Sequence, residues 1–362
     1  MVRVMSITLI LPGSGSKPVG GYKVVYEYAN RLSRRGCQVT VVHPAMLRID
    51  RPLKDWLRAL RYVPRRIDGH YRPDRWFRID PKVRCLWVPS LNPRHIPDAD
   101  VVVATAWQTA EWVATFSEQK GKQIYFVHDY EHYMTASNEL RERIRRTYNC
   151  GLKIICTSPA VRSMVEDSGG RIAAEIPNGL DFSVYHKTNE IEDSTRDMLG
   201  FPARPEPFKG MSDTVQALIR VKESFPKIKA WAFGPKPIRG LPGWAKFHRH
   251  PSDSQLRELY NRTSIFVTAS HYEGWGLPGA EAMACGAALV STEHGGVRAY
   301  ASHNETALLS PPKKPELLAD NILELIQDEG LRIRLAQAGY EHIQKFTWDR
   351  AVDKFEAVIN ER

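Results

Sequence analysis

Residues 273–286 read EGWGLPGAEAMACG, a run of glycine, alanine and apolar residues interrupted by two carboxylates, Glu273 and Glu281. Pro278 fits the first turn of a helix, where its missing N–H leaves nothing unpaired, and Gly286 supplies a stop. The preceding SIFVTAS (264–270) is a continuous apolar run, as a parallel strand covered on both faces requires. Strand, glycine loop and helix, in that order, place Glu273 at the carboxyl end of a strand and Glu281 about one turn into the helix. Open α/β sheets bind their ligands at that end of their strands.

The same unit recurs along the chain. ITLILP (7–12) reads as a buried strand, followed by a loop with Gly13, Gly15, Gly20 and Gly21 and a helix over 22–35 that Gly36 stops. Arg3 and the run after it imitate a signal peptide, but no small-residue cleavage site follows, and the run is read as the first strand. Further strands are expected at CQVTVVH (37–43), DVVVATA (100–106), IYFVH (124–128) and KIICTS (153–158). After NGLDFSVY (178–185) the polar stretch HKTNEIEDSTRD (186–197) has the composition of a linker. Alternation then restarts with IKAWAFG (228–234), SIFVTAS and AALVST (287–292). At 362 residues the chain exceeds what one core serves. The expectation is two doubly wound, Rossmann-like α/β domains, 1–185 and 186–345, with the cleft between them as ligand site. The last helix, 346–362, fits either domain by periodicity.

The chemistry follows from which groups share the loop. Gly274 and Gly276 let the backbone approach a ligand closely, and N–H groups at a helix start hold phosphate. A carboxylate repels phosphate, so Glu273 suits neutral hydroxyls such as those of a sugar ring. Glu281, one turn deeper, suits a second polyol such as a ribose. Arg204 and Lys209 of ARPEPFKG (203–210) supply a guanidinium fork and a point charge for a diphosphate, and would stabilise it as it departs. Two acids for hydroxyls and cations for phosphate describe a nucleotide sugar.

EGWGLPGAEAMACG, ARPEPFKG, GGYKVVYEYANRLSRRG (20–36) and HGGVRAYASHNETALLSPP (294–312) together resemble the retaining glycosyltransferases of the GT-B fold, family 4. The resemblance covers nearly the whole chain. It implies a metal-independent transfer of a sugar from a nucleotide diphosphate, with retention of anomeric configuration and no cofactor. It implies that Glu273 binds donor-sugar hydroxyls, Glu281 the ribose, Arg204 and Lys209 the diphosphate, and the turn at Gly20 and Gly21 the same diphosphate. Gly274, Trp275, Gly276 and Leu277 fall in the donor loop, and the active-site histidine falls on His128 of YFVHDYE (125–131). It also implies that the last helix returns to the N-terminal domain. The resemblance to enzymes of polysaccharide assembly points to a bacterial cell-surface glycan or glycolipid, with a saccharide or lipid-linked acceptor. Three departures stand out: the strand before Arg204 is the short MLGFPA (198–203), the nucleotide-side turn is FGPKP (233–237), and the long basic insertion at 47–84 is not a general feature of the family.

Net charge is +10, and the segment 47–84 carries seven of that surplus, with twelve Lys or Arg against five Asp. Leu53, Trp56, Leu57 and Leu60 follow helical spacing there. This is either an insertion docked on its own domain or an interfacial helix meeting an anionic membrane or acceptor. The five cysteines are scattered without metal-ligand spacing, as reduced thiols of a cytoplasmic protein would be. No apolar run reaches the roughly 18 residues of a membrane span. Asp98 and Asp100 form a D-x-D, read as the polar lead-in to a strand and not a metal site. A nucleic-acid-binding protein is the reading of another class, raised by the basic segment and its aromatics; no nucleic-acid partner is expected. A dinucleotide oxidoreductase lacks its acid after the second strand, where VVHPA (41–45) stands. An epimerase or hydrolase of nucleotide sugars on the same fold is the nearer alternative.

Overall fold

The computed structural model describes residues 4–47, 62–131, 133, 135 and 137–361. The expected helix over 53–60 lies outside them. The chain divides into two compact units, one of residues 1–157, 161–176 and 349–362, the other of 158–160 and 177–348.

The N-terminal unit is built on a seven-stranded sheet of order β3-β2-β1-β4-β5-β6-β7. Its strands are β1 (Ser6–Ile10), β2 (Gln38–Met46), β3 (Arg84–Ser90), β4 (Val101–Ala104), β5 (Lys122–Val127), β6 (Lys153–Cys156) and β7 (Ile172–Glu175), all parallel. β1 is central, with Ile7 opposite Val39 on one side and Val101 on the other. The strand order reverses between β1 and β4, where such sheets bind ligands. The helix that follows β1 spans Gly20–Arg34, so Gly20 and Gly21 form its first turn and not the loop before it. The helix Trp348–Asn360 packs into this unit, with Phe355 against Tyr28 (5.2 Å between ring centres) and Arg35 bonded to Asp353 and Glu356 (2.6 Å each).

The C-terminal unit has a six-stranded parallel sheet of order β10-β9-β8-β11-β12-β13. The strands are β8 (Met198–Pro202), β9 (Lys229–Gly234), β10 (Ala245–Arg249), β11 (Thr263–Thr268), β12 (Ala288–Thr292) and β13 (Leu308–Ser310). Here the order reverses between β8 and β11. β11 is apolar and buried along nearly its whole length, with Ile265, Phe266 and Val267 at most 1% exposed, which is the pattern of a strand covered on both faces.

The stretch 186–197 is not a free linker. Arg196 is 4% exposed, and its guanidinium donates to the carbonyls of Glu190 (2.8 Å), Asn189 (2.8 Å) and Cys285 (2.8 Å). Ile191 joins the core beside it. A polar composition hides this because the arginine satisfies carbonyls that the irregular chain would otherwise bury unpaired. Asp98 and Asp100 are likewise structural: Asp98 pairs with Lys120 (2.7 Å), and Asp100 accepts from the N–H and O–H of Ser6 (2.8 Å each). Cys156 and Cys285 are buried, Cys37, Cys85 and Cys150 half-buried, and none of the five is in a disulfide.

Candidate active site

In the C-terminal unit the carboxyl ends of β8, β11 and β12 bring the motif residues together. After β11 the chain runs through Ser270 to Glu273, then Gly276 caps the helix Leu277–Ala284 without any side-chain bond to its first N–H groups. Those N–H groups, with Pro278 in the first turn and no acid there, leave the positive end of the helix available. Gly210 begins the neighbouring helix Met211–Ser224 in the left-handed region (φ 63°), and a Cβ on it would lie 1.7 Å from the carbonyl oxygen of Ala269. Only glycine lets the segment carrying Lys209 pass this close to the end of β11.

That approach puts Lys209 Nζ 2.8 Å from Glu273 Oε1, and the same oxygen accepts from Ser270 Oγ at 2.8 Å. The backbone of Glu273 is pinned as well, its N–H donating to His294 O (3.2 Å) and its carbonyl accepting from Gly296 N–H (3.1 Å). Burial, the largest single influence, raises the pKa of Glu273, but the Lys209 ammonium, His294 and the hydrogen bonds from Lys209 and Ser270 together outweigh it, and the carboxyl is held below its usual value. The carboxylate is ionised at neutral pH. An ammonium has three N–H donors, and one suffices for Glu273. Arg204, half-buried at the end of β8, makes no ion pair among the described residues.

Glu281 lies on the buried face of the Leu277–Ala284 helix, 7% exposed, and accepts from Tyr260 Oη at 3.1 Å. The ring of Trp275 is 2% exposed and packs on Tyr300 (4.8 Å) and Phe346 (6.0 Å), and its Nε1 is buried with no hydrogen-bond partner among the described residues. Leu277 packs on the same core.

Three neighbours were not singled out from sequence. His294 is 2% exposed and sits under Gly276; burial pushes it down to about 4, so the ring is neutral. Its Nδ1 is buried with no hydrogen-bond partner among the described residues. His271 Nε2 bonds Asp213 Oδ2 at 2.8 Å, and His271 N–H donates to Phe208 O at 2.7 Å, tying the donor loop to the Lys209 segment. Tyr300 Oη donates to Gly276 O at 3.0 Å and fixes the cap. His294 had a readable signal, since it follows a strand on the same sheet edge and precedes two glycines.

In the N-terminal unit His128 follows β5 directly. Its ring lies 4.1 Å from that of Phe126, and neither nitrogen has a hydrogen-bond partner among the described residues, although both are buried. Burial pushes it down to about 3, so it too is neutral. A buried imidazole with both nitrogens unsatisfied costs free energy that a ligand would return. Nearby, Glu131 caps the helix Trp107–Val113 through Trp107 N–H (3.0 Å) and accepts from Tyr125 Oη; burial raises it to about 7. The helix Gly20–Arg34 starts with exposed glycines, no side-chain cap and no acid in its first turn, and a Cβ on Gly21 would meet nothing within 4 Å. It is a second open, positive helix end.

Two doubly wound units with open helix N-termini and a lysine-held carboxylate at a switch point define a GT-B group-transfer architecture. A family model described as Glycosyltransferase Family 4 matches residues 19–184, and one described as Glycosyl transferases group 1 matches residues 186–342. The chain belongs to the GT-B glycosyltransferases. It is 26% identical over 217 residues to a D-inositol 3-phosphate glycosyltransferase of Corynebacterium efficiens, a match covering 53% of this chain and about half (51%) of the relative. It is 24% identical to the phosphatidyl-myo-inositol mannosyltransferase of Mycobacterium tuberculosis, over 95% of this chain and 93% of that one. The Anabaena protein HepE, solved in complex with UDP-glucose, shares the fold at a TM-score of 0.73 and 19% identity, over 98% of this chain and 99% of that one. No helix among the described residues is long and apolar enough to cross a membrane.

Proposed function

We propose that the protein is a retaining, metal-independent glycosyltransferase using a nucleotide-diphosphate sugar. The observation that carries this reading is the Lys209–Glu273 pair at the carboxyl edge of β11, beside an open helix N-terminus. An ionised carboxylate there accepts from sugar hydroxyls, while Lys209, Arg204 and the helix N–H groups face the negative charge of the diphosphate. The bond from the anomeric carbon to the β-phosphate oxygen breaks, the acceptor hydroxyl oxygen bonds that carbon on the same face, and the hydroxyl proton passes to the phosphate. Glu281 takes the ribose, and His128 is the active-site histidine. Support for a nucleotide-sugar donor also comes from the UDP-glucose bound by HepE.

The acceptor is a saccharide or lipid-linked hydroxyl of a bacterial surface glycan, reached from the cytoplasmic side. The segment 47–84 has a basic composition that suits an anionic membrane. Its described helix, Tyr62–Asp68, carries Arg65 and Arg66 beside Ile67, which is 82% exposed. Each such cation near an anionic surface contributes about 1 kcal/mol.

The donor is tested by thermal shift with UDP-, GDP-, dTDP- and ADP-sugars. One base is expected to raise the melting temperature in a concentration-dependent way, because it binds only the folded state. No shift with any of them removes the reading. With that donor, excess chelator should leave turnover unchanged, since the cations are supplied by Arg204 and Lys209; strict dependence on added Mg²⁺ or Mn²⁺ would refute metal independence.

A further inference from the structure

The loop between β1 and the Gly20–Arg34 helix has two different ends. Its rim, 17–19, is exposed, as are Gly20 and Gly21, with which the helix begins. Its base is clasped. Gly13 O accepts from His43 Nδ1 at 2.9 Å, Gly15 O accepts from Trp76 Nε1 at 2.7 Å, and Gly15 N–H donates to Tyr71 O at 2.8 Å. A carbonyl only accepts, so His43 carries its proton on Nδ1, which leaves Nε2 as acceptor toward Tyr26 Oη (3.5 Å). Gly15 is buried, and a Cβ on it would stand 1.9 Å from Tyr26 Oη. Tyr26 in turn packs on His43 (5.9 Å), Trp76 (5.8 Å) and Phe77 (5.5 Å). The segment that supplies Tyr71 and Trp76 is itself moored to the helix, since Asn30 Nδ2 donates to Arg78 O and Asp80 N–H donates to Asn30 Oδ1, both at 2.8 Å.

A glycine-rich loop pays a large conformational entropy to adopt one geometry, and three hydrogen bonds plus an aromatic wall at its base reduce what remains to be ordered. The groups that clasp the loop come from β2 and from the far end of the basic segment: His43 and Trp76 donate to it, and Tyr71 O accepts from it. We propose that Trp76 and His43 are positioning residues of the transfer reaction, and that the segment Tyr71–Asp80 of the basic insertion holds the glycine loop in register for the donor diphosphate. This rests on the nucleotide-sugar reading and on the implication of the sequence resemblance that Gly20 and Gly21, where the loop enters the helix, meet that diphosphate. It makes the insertion part of the donor machinery as well as of the acceptor side, because the residues that hold Gly15 lie on the insertion.

The variant Trp76→Phe removes the N–H and keeps an aromatic ring. Two measurements on the full chain decide the matter. In hydrogen exchange without ligand, the amides of 13–16 should exchange at least about tenfold faster than in the wild type, with those of 7–10 in β1 unchanged. In steady-state transfer, using whichever of UDP-glucose, GDP-mannose, dTDP-glucose and ADP-glucose gives the largest thermal shift, kcat should fall at least about tenfold with the acceptor KM within twofold. Tyr26→Phe, a milder change at the same clasp, should move both readouts in the same direction by less, and serves if Trp76→Phe does not fold. Unchanged exchange at 13–16, or faster exchange with unchanged kcat, overturns the proposal. A rise in acceptor KM alone also overturns it and makes the segment an acceptor wall. A wild type that turns over none of the four donors removes the glycosyl-transfer reading, and the exchange result still decides the clasp.

Discussion

Glu273→Ala is expected to lower glycosyl transfer by at least about 100-fold in a protein that still folds, and Lys209→Ala by a similar factor. The two side chains are one device: the ammonium 2.8 Å from Oε1 keeps a buried carboxylate charged, and the carboxylate keeps the ammonium in place. Removing the lysine strands an acid from which burial already withdraws stability, so its pKa rises towards neutrality and it loses its strength as an acceptor for sugar hydroxyls. Removing the acid leaves the cation free to swing away from the phosphate. Because each change disables both groups, the double variant should be only slightly worse than either single one, far short of the product of two 100-fold losses. Steady-state kinetics of the three variants, with folding verified by circular dichroism, provides the check. Wild-type turnover in either single variant, or fully multiplicative losses in the double one, would separate the residues and discard the pair as the donor-binding device.

Acid should progressively destabilise the N-terminal unit between about pH 6.5 and pH 4. His43 and His128 are buried and neutral, lowered from 6.5 to about 4 and about 3. Below 6.5 the unfolded chain takes up protons on both that the folded unit refuses, so stability falls as pH falls. Glu131 works in the opposite sense: raised from 4.5 to about 7, it gains a proton in the folded unit first, and its burial penalty is relieved over the same window. Two histidines against one glutamate leave a net of one proton, a slope of about 1.4 kcal/mol per pH unit. His128→Phe keeps the volume and removes one of the two, so the slope should drop to near zero. Denaturant dependence of amide exchange in β4 and β5 at pH 6.5, 5.5 and 4.5 reads it. Equal slopes in wild type and variant would show that His128 is not held neutral by burial.

Much of this architecture was legible in the chain because its central strands are long apolar runs and its helix ends carry proline and glycine. Pro278 and Gly286 bracket the Leu277–Ala284 helix as their chemistry requires, with Gly286 at φ 84°. The strands that escaped notice are β3, β7, β10 and β13. β7 and β13 have only four and three residues, and β3 and β10 begin or end on arginine, so their apolar signal is brief. All four lie at sheet edges. Composition misled at 186–197, since a single buried arginine converts a polar stretch into a packed one. The proximity of Lys209 and Glu273 was inferred only as membership of one site. The direct contact depends on Gly210 slipping past Ala269, a backbone event that no side-chain pattern announces. The clasp on Gly13 and Gly15 was invisible for a similar reason: its donors, His43 and Trp76, stand 30 and 61 residues away in sequence.

Whether the sugar keeps the configuration it brought is read directly by proton NMR of the first product formed from an α-linked nucleotide sugar. With catalytic protein and the donor identified by thermal shift, the anomeric signal of the new glycoside should appear with the small coupling of an α linkage, with nucleoside diphosphate released in equal amount and no dependence on added metal. A β-configured product would contradict the same-face displacement assigned to the Lys209–Glu273 edge, and release of free sugar with no glycoside in the presence of acceptor would make the protein a hydrolase.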